Sequence, residues 1–164
     1  MHVRDATAGD FGQILDLNEA SVHYLSPLSI DGLLRLHAAS NWHRVVDIDG
    51  GVAAFLLTLP EAATYDSVNY RWFADRYPRF LYVDRVVVAE ARQGLGLGRA
   101  LYEDLFAFAR AEGVPRITAE FDVEPPNEAS RRFHASFGFV EVGSQTIREG
   151  KKRVSLQVAE LAAP

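Results

Sequence analysis

The chain has no cysteine among its 164 residues, which removes disulfides, thiolate metal sites and a cysteine nucleophile together. That absence fits a reducing compartment. No apolar run approaches the ~20 residues of a membrane span, and the opening Met1-His2-Val3-Arg4-Asp5 lacks the apolar core of a signal peptide. Positive charge is not in excess: 17 Lys and Arg face 22 Asp and Glu, for a net charge of −5. That balance argues against a general binder of nucleic acid or anionic membrane. The five histidines, at positions 2, 23, 37, 43 and 134, show no metal-ligand spacing and no tight carboxylate cluster beside them, so no metal is expected. Internal repeats, linkers and low-complexity stretches are also missing. What is there is 48% hydrophobic and 24% charged, ordinary for a globular chain, and long enough to bury a sizeable core. We expect one domain over residues 1–164, soluble and cytoplasmic.

The residue pattern predicts alternating strands and helices. Met1–Thr7 reads as a short strand. Asp10 and Gln13 have capping-box spacing ahead of Phe11, Ile14, Leu15 and Leu17, which predicts a helix to about Tyr24. Ser26-Pro27 breaks it, and Ile30, Leu33, Leu34 and Leu36 give a second short helix ending near Ser40-Asn41. Trp42–Ile48 and Val52–Leu59 form a hairpin around Asp49-Gly50-Gly51. Pro60 to Arg79 shows neither clean period and reads as a long aromatic loop, more often functional than idle in a compact domain. Phe80–Ala89 is a strand, Gly98–Glu112 a helix, Arg116–Val123 a strand, and a helix introduced by Asn127 runs to about Ser136. Phe139–Ile147 and Arg153–Leu161 close the chain as strands. The expectation is a mixed α/β (α+β) domain, mostly antiparallel, with a parallel crossover at Phe80–Val123.

Between the strand at 80–89 and the following helix lies Arg92-Gln93-Gly94-Leu95-Gly96-Leu97-Gly98-Arg99. Glycines at every second position leave successive backbone N–H groups uncovered, and a helix begins within the run with its positive dipole end aimed at the same place. Such an arrangement is a ready anion site, typically for phosphate. A dinucleotide turn of the form G-x-G-x-x-G would need a third glycine at Arg99 or Leu101 and has neither. A Walker-type loop needs Gly-Lys-Ser/Thr, which does not follow.

The run Gln93-Gly94-Leu95-Gly96-Leu97-Gly98 resembles the Q/R-x-x-G-x-G/A motif of the GNAT superfamily of N-acetyltransferases, and it follows a long strand, Leu81–Val88, as that family requires. Downstream, Asn127-Glu-Ala-Ser-Arg-Arg-Phe-His-Ala-Ser-Phe-Gly-Phe139 is similar to the family pattern N-x-x-A-x-x-F-Y-x-x-x-G-F. The element order matches along nearly the whole chain. The resemblance implies the acyl-CoA N-acyltransferase fold, a twisted mixed sheet with helices on both faces, and acetyl-CoA or a close acyl-CoA as donor. It implies that backbone amides of Gln93, Gly94, Leu95, Gly96, Leu97, Gly98 and Arg99 cradle the pyrophosphate. Backbone groups of Val86, Val87 and Val88 would pair with the pantetheine arm, the amide near Val86 facing the thioester oxygen. Asn127 would hydrogen-bond the arm and Phe133 pack against it. Each has a plainer role open to it: Asn127 as a helix cap, Phe133 and Phe137 as a core pair one turn apart, and Arg99 as a surface charge.

Direct transfer to an amine sets three tasks: deprotonate the ammonium, stabilise the oxyanion, and protonate the departing thiolate. Many family members use a tyrosine for the last task, one residue after the motif's phenylalanine. This chain has His134 there, whose ordinary pKa suits a thiol leaving group; a hydrogen bond to the sulfur, a water-carrying role and a structural role are its alternatives. For the base, Tyr82, Asp84 and Val86 share a strand face by alternation, with Asp84 as candidate base or ammonium anchor and an ion pair as its alternative. Glu120 and Asp122 on the next strand are weaker candidates. Tyr65, Tyr70 and Trp72 of the aromatic segment, with Tyr24, are expected to shape the acceptor pocket, although Trp72 also suits a hydrophobic cluster pinning the loop. Two functional readings remain open at this stage. One is an acetyl-CoA-dependent N-acetyltransferase acting on a primary amine of a small molecule or protein; the other is a non-catalytic acyl-CoA sensor. The resemblance leaves a homodimer open.

Overall fold

The computed structural model describes residues 1–23 and 25–162. Seven strands form one sheet in the order β1-β2-β3-β4-β5-β7-β6. They are β1 (His2–Asp5), β2 (Trp42–Ile48), β3 (Gly51–Pro60), β4 (Leu81–Val88), β5 (Arg116–Glu124), β6 (Val140–Ile147) and β7 (Lys152–Glu160). Neighbours are antiparallel except β4 and β5, which are parallel. Helices α1 (Phe11–Glu19), α2 (Ile30–Ala39) and α3 (Val68–Ala74) follow β1 and β3, while α4 (Leu97–Ala111) and α5 (Glu128–Ser136) flank β5.

Each face of the sheet carries its own core, because β3 is buried on both sides. Phe55, Leu57 and Leu59 pack with Phe11, Ile14, Leu33, Tyr70 and Phe73 on the face covered by α1 to α3. Ala54 and Leu56 pack with Leu97, Leu101, Tyr102 and Leu105 of α4 on the other. A strand covered on both faces reads as a continuous apolar run, as Gly51–Pro60 does.

Three helices have their first turns closed by side chains. Ser29 accepts from the Gly32 amide, Ser67 from Tyr70 and Asn127 from Ser130, at 3.0, 3.3 and 3.2 Å. Helix α4 instead starts from Gly96, in the left-handed region at φ 81°, where there is no side chain to close the turn. Helix geometry then leaves the N–H groups of Leu97, Gly98 and Arg99 without intrahelical acceptors.

Four sequence expectations change. The segment 60–79 holds α3, a helix of seven residues too short to show a period, anchored by buried Tyr70 and Phe73. The expected box at Asp10 and Gln13 sits three residues earlier, at Thr7 and Asp10: Asp10 accepts from the Thr7 amide at 2.8 Å, while Gln13 Oε1 accepts from the Val52 amide at 2.9 Å and ties α1 to β3. Helix α1 ends at Glu19 rather than near Tyr24, and Tyr24 lies outside the described residues. Finally, Tyr82, Asp84 and Val86 do not share a face. Leu57 pairs with Arg85 and Thr58 with Val83, so Asp84 is an extra residue, a β-bulge that flips the alternation beyond it. Tyr82 packs in the α1–α3 core, and Val86 joins the α4 core on the other side.

Candidate active site

The parallel strands β4 and β5 pair only at Leu81↔Ile117 and Tyr82↔Thr118. Beyond Tyr82 they part, and a cleft of about 1930 Å³ opens there. Its two halves are built differently.

One half is backbone. The Ala89 amide donates to Ala53 O at 2.9 Å, and β3 runs antiparallel to β4 with Phe55 opposite Val87 and Leu57 opposite Arg85. Because hydrogen-bonded and non-hydrogen-bonded pairs alternate, Arg85 and Val87 turn their peptide groups towards β3. Val86 and Val88 turn theirs to the open edge, facing the cleft. Val87 of the expected set thus differs from its neighbours: its peptide group is engaged with β3 and its side chain is buried in the α1–α3 core. At the far end of the open edge, Gly94 and Gly96 have φ of 80° and 81°, and the uncapped turn of α4 follows. Gln93 reaches back to Val88 O at 3.5 Å. Leu95 between the glycines is 61% exposed and does not line the cleft. Gly98 lies under Phe133 and Val88, with room for a Cβ at 3.7 Å from the phenyl ring. Arg99 is half-exposed, bonded to Ser136 Oγ at 3.1 Å and stacked over Phe137 at 4.9 Å. Asn127, the cap of α5, and Phe133, edge-on to Tyr102 at 4.8 Å, line the same half.

His134 is buried there, 4% exposed. Its Nδ1 lies 2.7 Å from the Ser130 carbonyl oxygen, which only accepts, so Nδ1 carries the proton. Nε2 then accepts from the Tyr102 hydroxyl at 2.8 Å. Desolvation lowers the imidazole pKa, which favours this neutral form. The ring has no proton aimed into the cleft; it holds the Tyr102 hydroxyl in place.

The other half is side chain. Asp84, at the bulge, accepts from the Tyr65 hydroxyl at 2.6 Å and from Arg85 Nε at 2.7 Å. Arg85 is itself buried and donates to Asn18 Oδ1 at 2.8 Å and to the Ser26 carbonyl at 3.3 Å. Burial and the Asp84 charge push the Tyr65 phenol well above its ordinary range. Asp122 pairs with Lys152 at 3.0 Å, both buried. Glu120 lies between these pairs on β5. Its Oε1 accepts from the Tyr82 hydroxyl at 2.8 Å and from Asn69 Nδ2 at 3.2 Å. Loss of solvent pushes its carboxyl up to about 8, and the same burial with the Glu120 charge raises the Tyr82 phenol.

Of the residues expected to shape the acceptor pocket, Tyr65 lines the cleft through Asp84. Tyr70 lines it with its ring, while its hydroxyl turns away to donate to Pro60 O at 2.6 Å. Trp72 does not line it. Its indole covers Gly143 of β6 so closely that a Cβ there would lie 2.4 Å away, and Arg76 stacks on the ring at 3.8 Å. Arg85 and Asn69 were missed in the sequence. The signal for this half was the row Thr118, Glu120, Asp122 on one face of a central strand, polar where an interior strand has no solvent to face.

A cleft with phosphate-ready amides at one end, an open strand edge along one wall and a buried carboxyl opposite defines a group-transfer protein with a phosphorylated donor. The pattern of the acetyltransferase (GNAT) family matches residues 15–139. The L-methionine sulfoximine/L-methionine sulfone acetyltransferase of Salmonella typhimurium is 34% identical over 79% of this chain and 85% of that one. A phosphinothricin N-acetyltransferase of Streptomyces coelicolor is 47% identical, but the match spans only 41% of this chain and 37% of that enzyme. Among solved structures, an acetyltransferase of Salmonella typhimurium with its cofactor acetyl-CoA superposes with a TM-score of 0.75 at 24% identity, covering 100% of this chain and 97% of the other. The ribosomal-protein-S18-alanine N-acetyltransferase of Escherichia coli superposes at 0.76 and 17% identity, covering 99% and 95%. The chain belongs to the GNAT family of acetyltransferases.

Proposed function

We propose that this protein transfers the acetyl group of acetyl-CoA to the amine of a small zwitterionic amino acid. The observation that carries the reading is the division of one cleft into a backbone-lined half and a charged side-chain half. The open Val86–Val88 edge suits the pantetheine arm as an added strand, and the amides from Gln93 to Arg99 suit the pyrophosphate. The Val86 amide is then the donor to the oxyanion that forms at the thioester carbonyl. The cleft is larger than the ~300–1,000 Å³ of an ordinary ligand pocket, which fits two ligands bound together and direct attack without a covalent enzyme intermediate. The side-chain half carries both signs of charge, Arg85 and Lys152 beside Asp84, Glu120 and Asp122, as a zwitterion requires. Two relatives named for amino-acid acceptors point the same way. His134 acts in this reading by holding Tyr102 beside the donor half.

The test is CoA release from acetyl-CoA with L-methionine sulfoximine, L-methionine sulfone, phosphinothricin, free lysine and an alanine-ended peptide as acceptors. One CoA released per acetylated free amino acid is expected. Turnover of the peptide alone overturns the acceptor assignment. Tight acetyl-CoA binding with no release on any amine identifies a sensor.

A further inference from the structure

Glu120 is held by one oxygen and left open at the other. Two donors fix Oε1, the Tyr82 hydroxyl and the Asn69 amide. Asn69 is itself oriented, because its Oδ1 accepts from Gln145 Nε2 at 2.8 Å, which turns its NH₂ towards Glu120. Oε2 is buried and has no hydrogen-bond partner, yet the residue lines the cleft. A buried carboxyl oxygen without a donor is destabilising, so three residues from three elements fix a carboxyl whose second oxygen does nothing for the fold. The neighbouring carboxylates are already engaged, Asp84 with Tyr65 and Arg85, Asp122 with Lys152.

We propose that Glu120 is the catalytic base, its Oε2 taking the proton from the ammonium of the bound acceptor. This rests on the amine-acetylating reading above. One proton moves from nitrogen to Oε2, and the freed lone pair attacks the thioester carbonyl carbon. The N–C bond forms, the carbonyl electron pair moves onto oxygen, and its return breaks the C–S bond. The thiolate leaves with the second nitrogen proton, giving amide and free thiol, and Glu120 then returns its proton to solvent. Around the carboxyl stand Tyr82 and Asp84 from β4, Asp122 from β5 with its Lys152 partner from β7, and Asn69 from α3. Tyr65 lies beyond Asp84, and Tyr102 approaches from α4. Acidic neighbours and lost solvent both favour the protonated carboxyl, offset by the Tyr82 and Asn69 hydrogen bonds, with the balance at about 8. The rate constant kcat/KM then rises with pH to a plateau just above that value.

Glu120→Gln is expected to lower kcat/KM about 10²–10³-fold and to abolish the rising limb, with acetyl-CoA affinity by calorimetry unchanged. Tyr82→Phe removes a donor to the ionised form, so it moves the limb to higher pH. A Glu120→Gln enzyme within threefold of the parent at every pH, or keeping the limb, overturns the proposal. So does loss of the limb on Asp84→Asn with Glu120 intact. A second measurement works without turnover: carbon-13 NMR of glutamate carboxyls, the Glu120 signal identified by its absence from Glu120→Gln. It is expected to titrate near pH 8 and to shift to lower pH when an amine binds. A Glu120 signal indifferent to every amine in the panel overturns the base, whereas CoA release from none of them with that shift intact overturns the transferase reading instead.

Discussion

The two walls of the cleft use opposite materials. In the proposed reading, recognition on the donor side falls to peptide groups: the Val86–Val88 edge and the open turn after Gly96. On the proposed acceptor side it would fall to buried ionisable side chains locked in pairs, Asp84 with Arg85 and Asp122 with Lys152, around Glu120. A backbone wall costs little to maintain, since its groups tolerate solvent when empty and any side chain that keeps the conformation will serve. A wall of buried charge is stable only while each partner is present. The donor half should therefore be robust to side-chain change and fragile to backbone change, and the acceptor half the reverse.

The largest expected effect follows from Arg85. Arg85→Met leaves the Asp84 carboxylate buried with only Tyr65 as partner and removes the ties to Asn18 and Ser26, at a cost of about 3–5 kcal/mol. Denaturant unfolding measures it, while acetyl-CoA affinity of the folded variant stays within threefold. A comparable loss of affinity would show that the halves are not independent. Next is the pH dependence carried by Glu120, whose carboxyl rises from the usual 4.5 to about 8 in the folded chain. Its favourable contribution is complete below pH 4.5, falls as pH climbs between the two values, and is gone above 8. Glu120→Gln has no such loss, so the unliganded variant should be more stable than the parent at pH 9 by about 2–4 kcal/mol, with the gap vanishing near pH 4. Thermal unfolding at the two pH values decides it. The smallest concerns Gly96. Valine there is forced to φ 81°, a strain of about 1–3 kcal/mol, and acetyl-CoA affinity should fall about 10–100-fold. Gly98→Ala, whose new Cβ meets only ordinary contacts, should leave folding unchanged. Calorimetry of both variants separates backbone conformation from bulk.

The same contrast governs what the sequence disclosed. The backbone geometry of the wall at residues 86–99 was legible because glycine spacing and a strand-to-helix junction are local, and peptide geometry follows from them directly. The element order was legible for the same reason, apart from α3, whose seven residues offer Tyr70 and Phe73 but no full period. The acceptor wall depends on which side chains meet across the sheet. Tyr65 reaches Asp84 across 19 positions, Tyr82 reaches Glu120 across 38 and Gln145 reaches Asn69 across 76. Alternation alone misplaced Val86, because the extra residue at Asp84 is set by pairing with β3 and not by β4's own pattern. It also gave no warning that both nitrogens of His134 would be committed to Ser130 and Tyr102.

That extra residue makes β4 a single strand written in two phases. Upstream of Asp84 it presents side chains to the proposed acceptor half; downstream it presents peptide groups to the proposed donor half, with Val86 and Val88 side chains closing the other core. Tyr82 and Asp84 can vary to suit a new amine without moving the register of Val86 and Val88. Deleting Asp84 would leave Val83 opposite Thr58 and Arg85 opposite Leu57, restoring regular alternation with the downstream faces kept, while removing the carboxylate that Tyr65 and Arg85 hold. The bulge is thus the joint at which acceptor choice is uncoupled from donor binding, and a single-residue deletion there strikes the side-chain half while sparing the open edge.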